Sequence, residues 1–318
     1  MRENRHTREF LIQLQHLPLD IKIAKTKQRI REWVQYFGTS GVYVSFSGGK
    51  DSTILLDIAR QEYPDIEAVF VDTGLEYPEI RDFVKGFENV IWLRPKMSFR
   101  EVIFKHGYPI VSKEVARKVC DARRGVNNAV AAFDGKDAKG NETTFRKRFK
   151  KWKFLLDSDF LISSECCEII KKAPLHEYEK DTDKKPILGT MTCESELRQK
   201  VWLQNGCNAF ESARALSTPM SFWLERDILE YIKIHSLPVA GVYGELKEHD
   251  GHLKFSGTQR TGCMFCVFGC HLEKSPNRFQ KMAKTHPKQY DYCIRSVKSG
   301  GLGLGKVLDY IGVDYIPD

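Results

Sequence analysis

No stretch of this 318-residue sequence is long and apolar enough to read as a membrane span. The N-terminus, Met1-Arg-Glu-Asn-Arg-His6, lacks the apolar core of a secretion signal. These two absences argue against a membrane protein and make the cytoplasm the expected location. There is no internal repeat, which excludes a solenoid or propeller, and no low-complexity tract. A strong charge bias is also missing. Fifty Lys and Arg against 42 Asp and Glu leave a net charge of +8, which permits an anionic partner such as a nucleotide or nucleic acid without requiring one. No disulfide framework is expected of nine cysteines in a reducing compartment, so they point to metal or redox chemistry. What remains is ordinary for a globular chain: 42% hydrophobic and 29% charged residues, enough to bury a full core.

The most informative stretch is Val42-Tyr-Val-Ser-Phe-Ser-Gly-Gly-Lys-Asp-Ser-Thr-Ile-Leu-Leu56. Val42, Val44 and Phe46 alternate with Tyr43 and Ser45, and Thr53 to Ala59 resumes at helical spacing. The pattern predicts a strand, a tight loop and a helix N-terminus. Gly48 and Gly49 allow close approach of the main chain to a ligand. Ser47 and Ser52 add hydroxyls, Lys50 adds a positive charge, and the unpaired N–H groups of a helix start favour an anion. Ser45, closing the strand, belongs to the same candidate set. This is a phosphate cradle, or else a glycine turn in an ordinary βα unit. It is not the G-x-x-x-x-G-K-[ST] form, because the glycines are adjacent and Asp51 follows the lysine. Ser47-Gly-Gly-Lys-Asp-Ser52 resembles the PP-loop of the adenine-nucleotide α-hydrolase superfamily. That resemblance implies an ATP-like nucleotide, reaction at the α-phosphate and release of pyrophosphate.

Around this loop, residues 8 to 37 predict two helices broken at Pro18. Ile66 to Gly74 reads as a second strand ending in a polar turn, and Asn89 to Leu93 as a third. Strands alternating with helices imply a doubly wound parallel sheet, with ligands at the carboxyl ends of the strands. Asp72 and Thr73 lie at such an end, where they could face a ribose or a metal, or cap the next helix. Between 113 and 153 the composition turns basic. Asp134 to Glu142 reads as an exposed loop, and Arg146-Lys-Arg-Phe-Lys-Lys-Trp-Lys153 interleaves six cations with two aromatics. Such a run suits nucleic acid, or is a solvated helix face. Pro219 to Ile232 carries a strong helical pattern, Gly300 to Gly305 looks mobile, and Val307 to Val313 is a last apolar segment. The expected organisation is a helical lead-in at 1–40, an α/β nucleotide-binding domain at 41–235 with a basic insertion near 113–153, and a helical, cysteine-bearing part at 236–318.

Cys166-Cys167 is a tandem pair, Cys263-Met-Phe-Cys266 a C-x-x-C, and Cys270 follows four residues later. Thiolates select zinc or iron–sulfur, and spacing alone does not choose between them, although adjacent cysteines on one zinc would strain the chain. Cys120 and Cys207 suit small buried hydrophobes.

Taken in order, several motifs resemble the phosphoadenosine/adenosine phosphosulfate (PAPS/APS) reductase family across roughly residues 40 to 270. They are the Ser47–Ser52 loop, Phe70-Val-Asp-Thr-Gly74 with Tyr77-Pro-Glu79, Cys166-Cys167 with Lys171-Lys-Ala-Pro-Leu175, Glu194-Ser195 with Arg198, Pro219-x-x-x-Trp223 with Asp227, and Gly262-Cys263-x-x-Cys266. The tandem-cysteine form is similar to bacterial APS reductases, which implies a [4Fe–4S] cluster on Cys166, Cys167, Cys263 and Cys266. Arg198, matching the family's substrate loop, would contact a phosphate or oxyanion, or else form a surface salt bridge. Two departures stand out. Sulfonucleotide reductases carry a degraded PP-loop, whereas this one is intact. Their Glu-Cys-Gly-(Leu/Ile)-His tail has no counterpart in Asp314-Tyr-Ile-Pro-Asp318. Both departures resemble the DNA phosphorothioation sulfurtransferases and tRNA thiolation enzymes.

The leading expectation is therefore an ATP-using iron–sulfur enzyme that adenylates a nucleic-acid or small-molecule acceptor and moves sulfur onto it. Lys50 would hold the phosphates, Asp51, with Asp72, would hold Mg²⁺, and a protein would donate electrons or sulfur. Reduction of APS or PAPS to sulfite, with Cys270 or Cys293 as nucleophile, is the second expectation. A nucleotide-binding redox sensor is the third.

Overall fold

The computed structural model describes residues 4–317 and divides the chain into two compact units that interleave along the sequence. One unit holds the residues up to Asp72, Glu76–Arg94 and Pro174–Thr261; the other holds Thr73–Leu75, Pro95–Ala173 and the chain from Gly262 onward. This partition differs from the linear one expected at 1–40, 41–235 and 236–318. Strand pairing is the reason. In chain order the strands are β1 Val42–Ser45, β2 Ala68–Val71, β3 Val90–Leu93, β4 Ile110–Val111, β5 Lys185–Leu188, β6 Asn208–Ala209, β7 Leu216–Ser217, β8 Leu246–His249, β9 His252–Phe255 and β10 Val267–Phe268. Segments 185–217 return to the sheet that starts at Val42, while β4 pairs in parallel with β10.

The first unit is built on a six-stranded sheet of order β3-β2-β1-β5-β7-β6, parallel except for the edge pair β6–β7. Its central strands β2, β1 and β5 are short and largely apolar, as expected for strands covered on both faces. Val44 sits opposite Ala68 on one side and Ile187 on the other. The sheet therefore grows in opposite directions from β1, and the loop after β1 lies at the topological switch point, where such sheets bind ligands. Helix α1 (Arg8–Gln15), started by the Thr7 hydroxyl accepting from the Phe10 N–H, and α2 (Leu19–Phe37) are separated at Pro18 as the sequence predicts. Helix α3 (Lys50–Glu62) follows the glycine loop and buries Ile54, Leu55 and Ile58 against Trp33, Trp223 and Tyr231 in one core.

The helical pattern at Pro219–Ile232 needs correction, because the helix runs Glu225–His235. A carboxylate oxygen of Asp227 accepts the Leu224 N–H at 2.7 Å and fixes the helix start there. Upstream, Ser221 N–H bonds Thr218 O and Trp223 N–H bonds Met220 O, both at 3.0 Å, so the segment is a pair of turns. Met220, Phe222 and Trp223 are buried all the same, and that burial created the apolar period.

In the second unit the helix Lys113–Arg123 packs on β4 of the β4–β10 pair, and the unit also holds the helices Thr144–Lys150 and Leu304–Tyr310. The expectation of a mobile Gly300–Gly305 is also corrected. Gly301 N–H bonds Ser296 O at 2.9 Å, Leu302 N–H bonds Tyr292 O at 2.9 Å and Gly303 N–H bonds Arg295 O at 2.8 Å. A Cβ at Gly301 would collide with the Arg295 carbonyl, so the glycine serves close packing and not freedom.

Candidate functional site

The loop between β1 and α3 holds itself in shape with its own side chains. The Ser47 N–H bonds Ser52 Oγ at 3.1 Å, Ser52 Oγ donates to Gly49 O at 2.9 Å, and the two serine oxygens are 3.0 Å apart. Gly48 has φ +69°, and a Cβ there would meet Val84 Cγ2 at 2.7 Å and Ile80 Cγ2 at 2.8 Å, so only glycine fits. Gly49 precedes the helix. A Cβ there would meet Thr261 Oγ1 at 3.1 Å and Tyr243 OH at 3.4 Å. The Lys50 N–H donates to Tyr243 OH at 2.9 Å, while among the described residues no acceptor meets the Asp51 and Ser52 N–H groups. Open N–H groups at a helix start attract an anion. Gly189, just after β5, lets that strand's exit pass the Asp51 carbonyl, where a Cβ would come within 3.1 Å.

Lys50 is buried, and its ammonium lies 3.0 Å from Asp51 Oδ1 and 3.2 Å from Glu225 Oε1. Burial, the largest influence, disfavours its charge, but the two carboxylates outweigh it and hold the amine above the usual lysine range. Asp51 moves up from the usual carboxylate range, mainly through burial, with Lys50 opposing and Glu225 and Glu194 adding to the shift. Glu194 in turn pairs with Arg198, and its other oxygen is 3.6 Å from Arg260. The site is thus a buried cation flanked by the carboxylates of Asp51 and Glu225, with Glu194 and its two arginines farther out.

The structure places other expected residues differently. Ser45 closes β1, half-buried between Val69 and Leu188 of the neighbouring strands. Asp72, at the end of β2, is buried and bonded by Arg81 Nη2 at 2.8 Å. It does not cap the next helix, α4 (Pro78–Lys85), which starts after Tyr77. Thr73 belongs to the second unit, where its hydroxyl accepts the Leu75 N–H at 3.2 Å. Arg198 is a half-exposed partner of Glu194. Sequence reasoning missed Glu225, Tyr243 and Thr261. Glu225 lies just outside the quoted Pro219–Trp223 motif, and Tyr243 sits in Gly241-Val-Tyr-Gly244, a turn signal that carried no chemistry of its own.

In the second unit, Cys166, Cys167, Cys263 and Cys266 lie near enough to influence one another electrostatically. Cys166-Cys167 opens a helical segment, Glu168–Lys172, and the two sulfurs are 4.0 Å apart. The C-x-x-C is a turn held by Met264 N–H on Leu75 O at 2.8 Å and Cys266 N–H on Cys263 O at 3.2 Å, leading directly into β10. The hydrogen bond from Cys166, with Lys113 and Lys171 nearby, holds the Cys167 thiol down to about 6 against burial. Burial pushes Cys263 up to about 11 and raises Cys266 as well. Among the described residues no group of three or more His, Cys, Asp or Glu closes on a single metal-ion position. Cys270 is buried, and burial pushes its thiol up to about 12, while Cys293 is fully buried and also raised. Neither is an exposed thiolate at neutral pH.

The basic run is largely occupied with its own unit. Arg146 bonds Asn128 and Lys136 O, Arg148 lies against Glu114 at 2.8 Å and over the Phe145 ring, and Lys153 pairs with Asp134 at 2.7 Å. Lys147 and Lys150 face Glu142 at 3.8 and 3.7 Å. Phe149 is buried. These contacts pair most of the run's charges at partly exposed positions, where each pair contributes little.

Comparison with known proteins adds a family. The model of the phosphoadenosine phosphosulfate reductase domain matches residues 41–136 and 113–270. An uncharacterized protein of Methanocaldococcus jannaschii is 24% identical over 272 residues, 84% of this chain and 50% of that protein, so the chain spans half its length. An adenosine 5'-phosphosulfate reductase of Staphylococcus haemolyticus is 25% identical over 244 residues, 76% of this chain and 77% of that enzyme. The crystal structure of a phosphoadenylyl-sulfate reductase from Candida auris, in complex with phosphate, superimposes with a TM-score of 0.40 at 14% identity, covering 82% of this chain and 100% of that one.

Proposed function

Because this chain belongs to the phosphoadenosine phosphosulfate reductase domain family, we propose that it is an enzyme that binds an adenine nucleotide at the Ser47–Ser52 loop. In this reading the nucleotide is ATP, and it activates an acceptor for sulfur transfer. The observation that carries it is the intact loop. It holds a buried ammonium, Lys50, 3.0 Å from Asp51 and 3.2 Å from Glu225, beside open N–H groups at the start of α3. A triphosphate brings several negative charges, and a cation whose partners are half-exposed carboxylates can turn to meet them. An acceptor oxygen attacks the α-phosphorus and pyrophosphate leaves. Lys50 and the helix N–H groups stabilise the charge that develops there. Sulfur at the sulfide level, delivered by a donor protein, then displaces AMP with no net change of oxidation state.

The donor chemistry fits two further groups. Asp51 and Glu225 suit a Mg²⁺ that also takes phosphate oxygens, since this ion commonly uses only one or two carboxylates. Asp72 suits it less well, being bonded to Arg81. Cys166, Cys167, Cys263 and Cys266 form a soft thiolate set with Lys113 and Lys171 to offset its charge, which fits a [4Fe–4S] cluster. Such a cluster would hold the transferred sulfur in this reading and would supply electrons in a reductive one.

A second reading, reduction of a sulfonucleotide to sulfite, is favoured by the likeness to the Staphylococcus haemolyticus enzyme over three quarters of the chain. Anaerobically purified protein, assayed for iron and sulfide, is incubated separately with ATP, APS and PAPS, and AMP, pyrophosphate and sulfite are measured. We expect iron with inorganic sulfide, and Mg²⁺-dependent pyrophosphate from ATP that Asp51→Asn abolishes. Sulfite from APS without ATP, indifferent to Asp51→Asn, would establish the reductase instead.

A further inference from the structure

The hydroxyl groups around the phosphate loop can be counted proton by proton. Ser52 Oγ donates to Gly49 O at 2.9 Å, so its proton is committed. Ser47 Oγ, 3.0 Å from Ser52 Oγ, must then be the donor of that contact. Both serine protons are consumed in shaping the loop. On the other side of Gly49, Tyr243 OH accepts the Lys50 N–H at 2.9 Å and shares a 2.8 Å hydrogen bond with Thr261 Oγ1. That pair has two protons and one mutual bond. Whichever hydroxyl donates to the other, one O–H is left over, and no acceptor for it occurs among the described residues. Tyr243 is 1% exposed and packs on Phe255, with ring centroids 5.1 Å apart, so the phenol cannot swing out to water. Thr261, by contrast, is only partly buried. Both oxygens crowd the spot a Cβ on Gly49 would occupy, at 3.4 and 3.1 Å.

From this count we propose that the Tyr243–Thr261 hydroxyl pair is a further phosphate-binding element. It gives its one uncommitted proton to an anionic oxygen of the nucleotide while Tyr243 holds the Lys50 N–H, and so the first turn of α3, in place. The inference rests on the nucleotide reading above and adds two residues from the hairpin region, 243 and 261, that the loop motif does not contain. It also gives glycine a use at position 49, where a methyl group would crowd both hydroxyls, at 3.1 and 3.4 Å. Because either hydroxyl alone retains a proton, the two are interchangeable as donors. Loss of function requires removing both.

The test uses the full chain and four proteins: wild type, Tyr243→Phe, Thr261→Val and the double variant, each checked for a cooperative melting transition, since Tyr243→Phe also removes the acceptor of the Lys50 N–H. Affinities for ATP, inorganic pyrophosphate and adenosine are measured by calorimetry. The double variant should lose about tenfold or more for ATP and pyrophosphate, the worth of a hydrogen bond to a charged group, while each single variant loses no more than about threefold. Adenosine, having no phosphate, should bind all four alike. Wild-type affinity for ATP in the double variant overturns the proposal, as does an equal loss for adenosine, which would make the pair merely structural. Lys50→Ala separates the two levels of inference. If it abolishes ATP binding while the double variant does not weaken it, the nucleotide site stands and the hydroxyl pair falls. If wild type binds neither ATP nor pyrophosphate, both fall.

Discussion

Two buried lysines in the sheet unit make an instructive pair. Lys22 in α2 is 0% exposed, and its ammonium is closed off by Asp227 Oδ2 at 2.6 Å and Gln15 O at 2.9 Å. Asp227 is itself 5% exposed and spends the same oxygen on the Leu224 N–H. Lys50, almost as deeply buried, has partners that reach water: the Asp51 side chain is 29% exposed and that of Glu225 48%. The first cation is sealed into a structural clamp between α2 and the helix start at Glu225. The second is held charged by groups that stay within reach of water. Burial of a charge therefore does not by itself mark a site; what distinguishes the two lysines is whether the partners are also buried.

The largest effect should come from breaking the sealed pair. Asp227→Asn leaves an unneutralised ammonium in the core and should cost about 3–5 kcal/mol in chemical unfolding. Lys22→Met combined with Asp227→Leu should recover most of that loss, and a double variant as unstable as the single would contradict the clamp. Next in size is the open pair. Lys50→Met should reduce ATP affinity about tenfold to a hundredfold, yet change stability by less than about 1 kcal/mol, because water can solvate Asp51 and Glu225 once the cation is gone. A stability loss matching that of Asp227→Asn would erase the contrast.

The smallest effect sharpens the comparison with a third, intermediate charge. Glu179 accepts from Tyr43 OH at 2.6 Å and from Arg214 at 2.6 and 2.7 Å. Burial raises its carboxyl, but the bonds from Arg214 and Tyr43 more than offset this and hold it below the usual range. A carboxyl lowered in the folded state stabilises above its unfolded value, about 4.3, and that contribution disappears as pH falls through the folded value. Glu179→Gln should thus cost about 1–2 kcal/mol at neutral pH, and the gap to wild type should close below pH about 4. A gap independent of pH would mean that the charge is irrelevant there.

Much of the candidate site was legible because its parts are local. The alternation of Val42, Val44 and Phe46, the paired glycines and the helical spacing from Thr53 give β1 to within one residue and α3 to within three at each end. The same holds for α1 and α2 around Pro18. Apolar period misled at Pro219–Trp223, where turn residues are buried for tertiary reasons and imitate a helix face. Glycine content misled at Gly300–Gly305, where glycines that look loose are needed for backbone packing.

The sequence by itself determined the strand, glycine loop and helix start at 42–62, the family motifs and the grouping of cysteines into 166–167 and 263–266, since each depends on neighbours within a few positions. Only the tertiary structure decided which charges and hydroxyls meet. Glu225 reaches Lys50 across 175 positions and Tyr243 across 193, and the serines turn inward while the Tyr243–Thr261 pair keeps a proton to give. Such contacts are set by the order of strands in the sheet and by where distant segments return to it. Local periodicity carries no record of either.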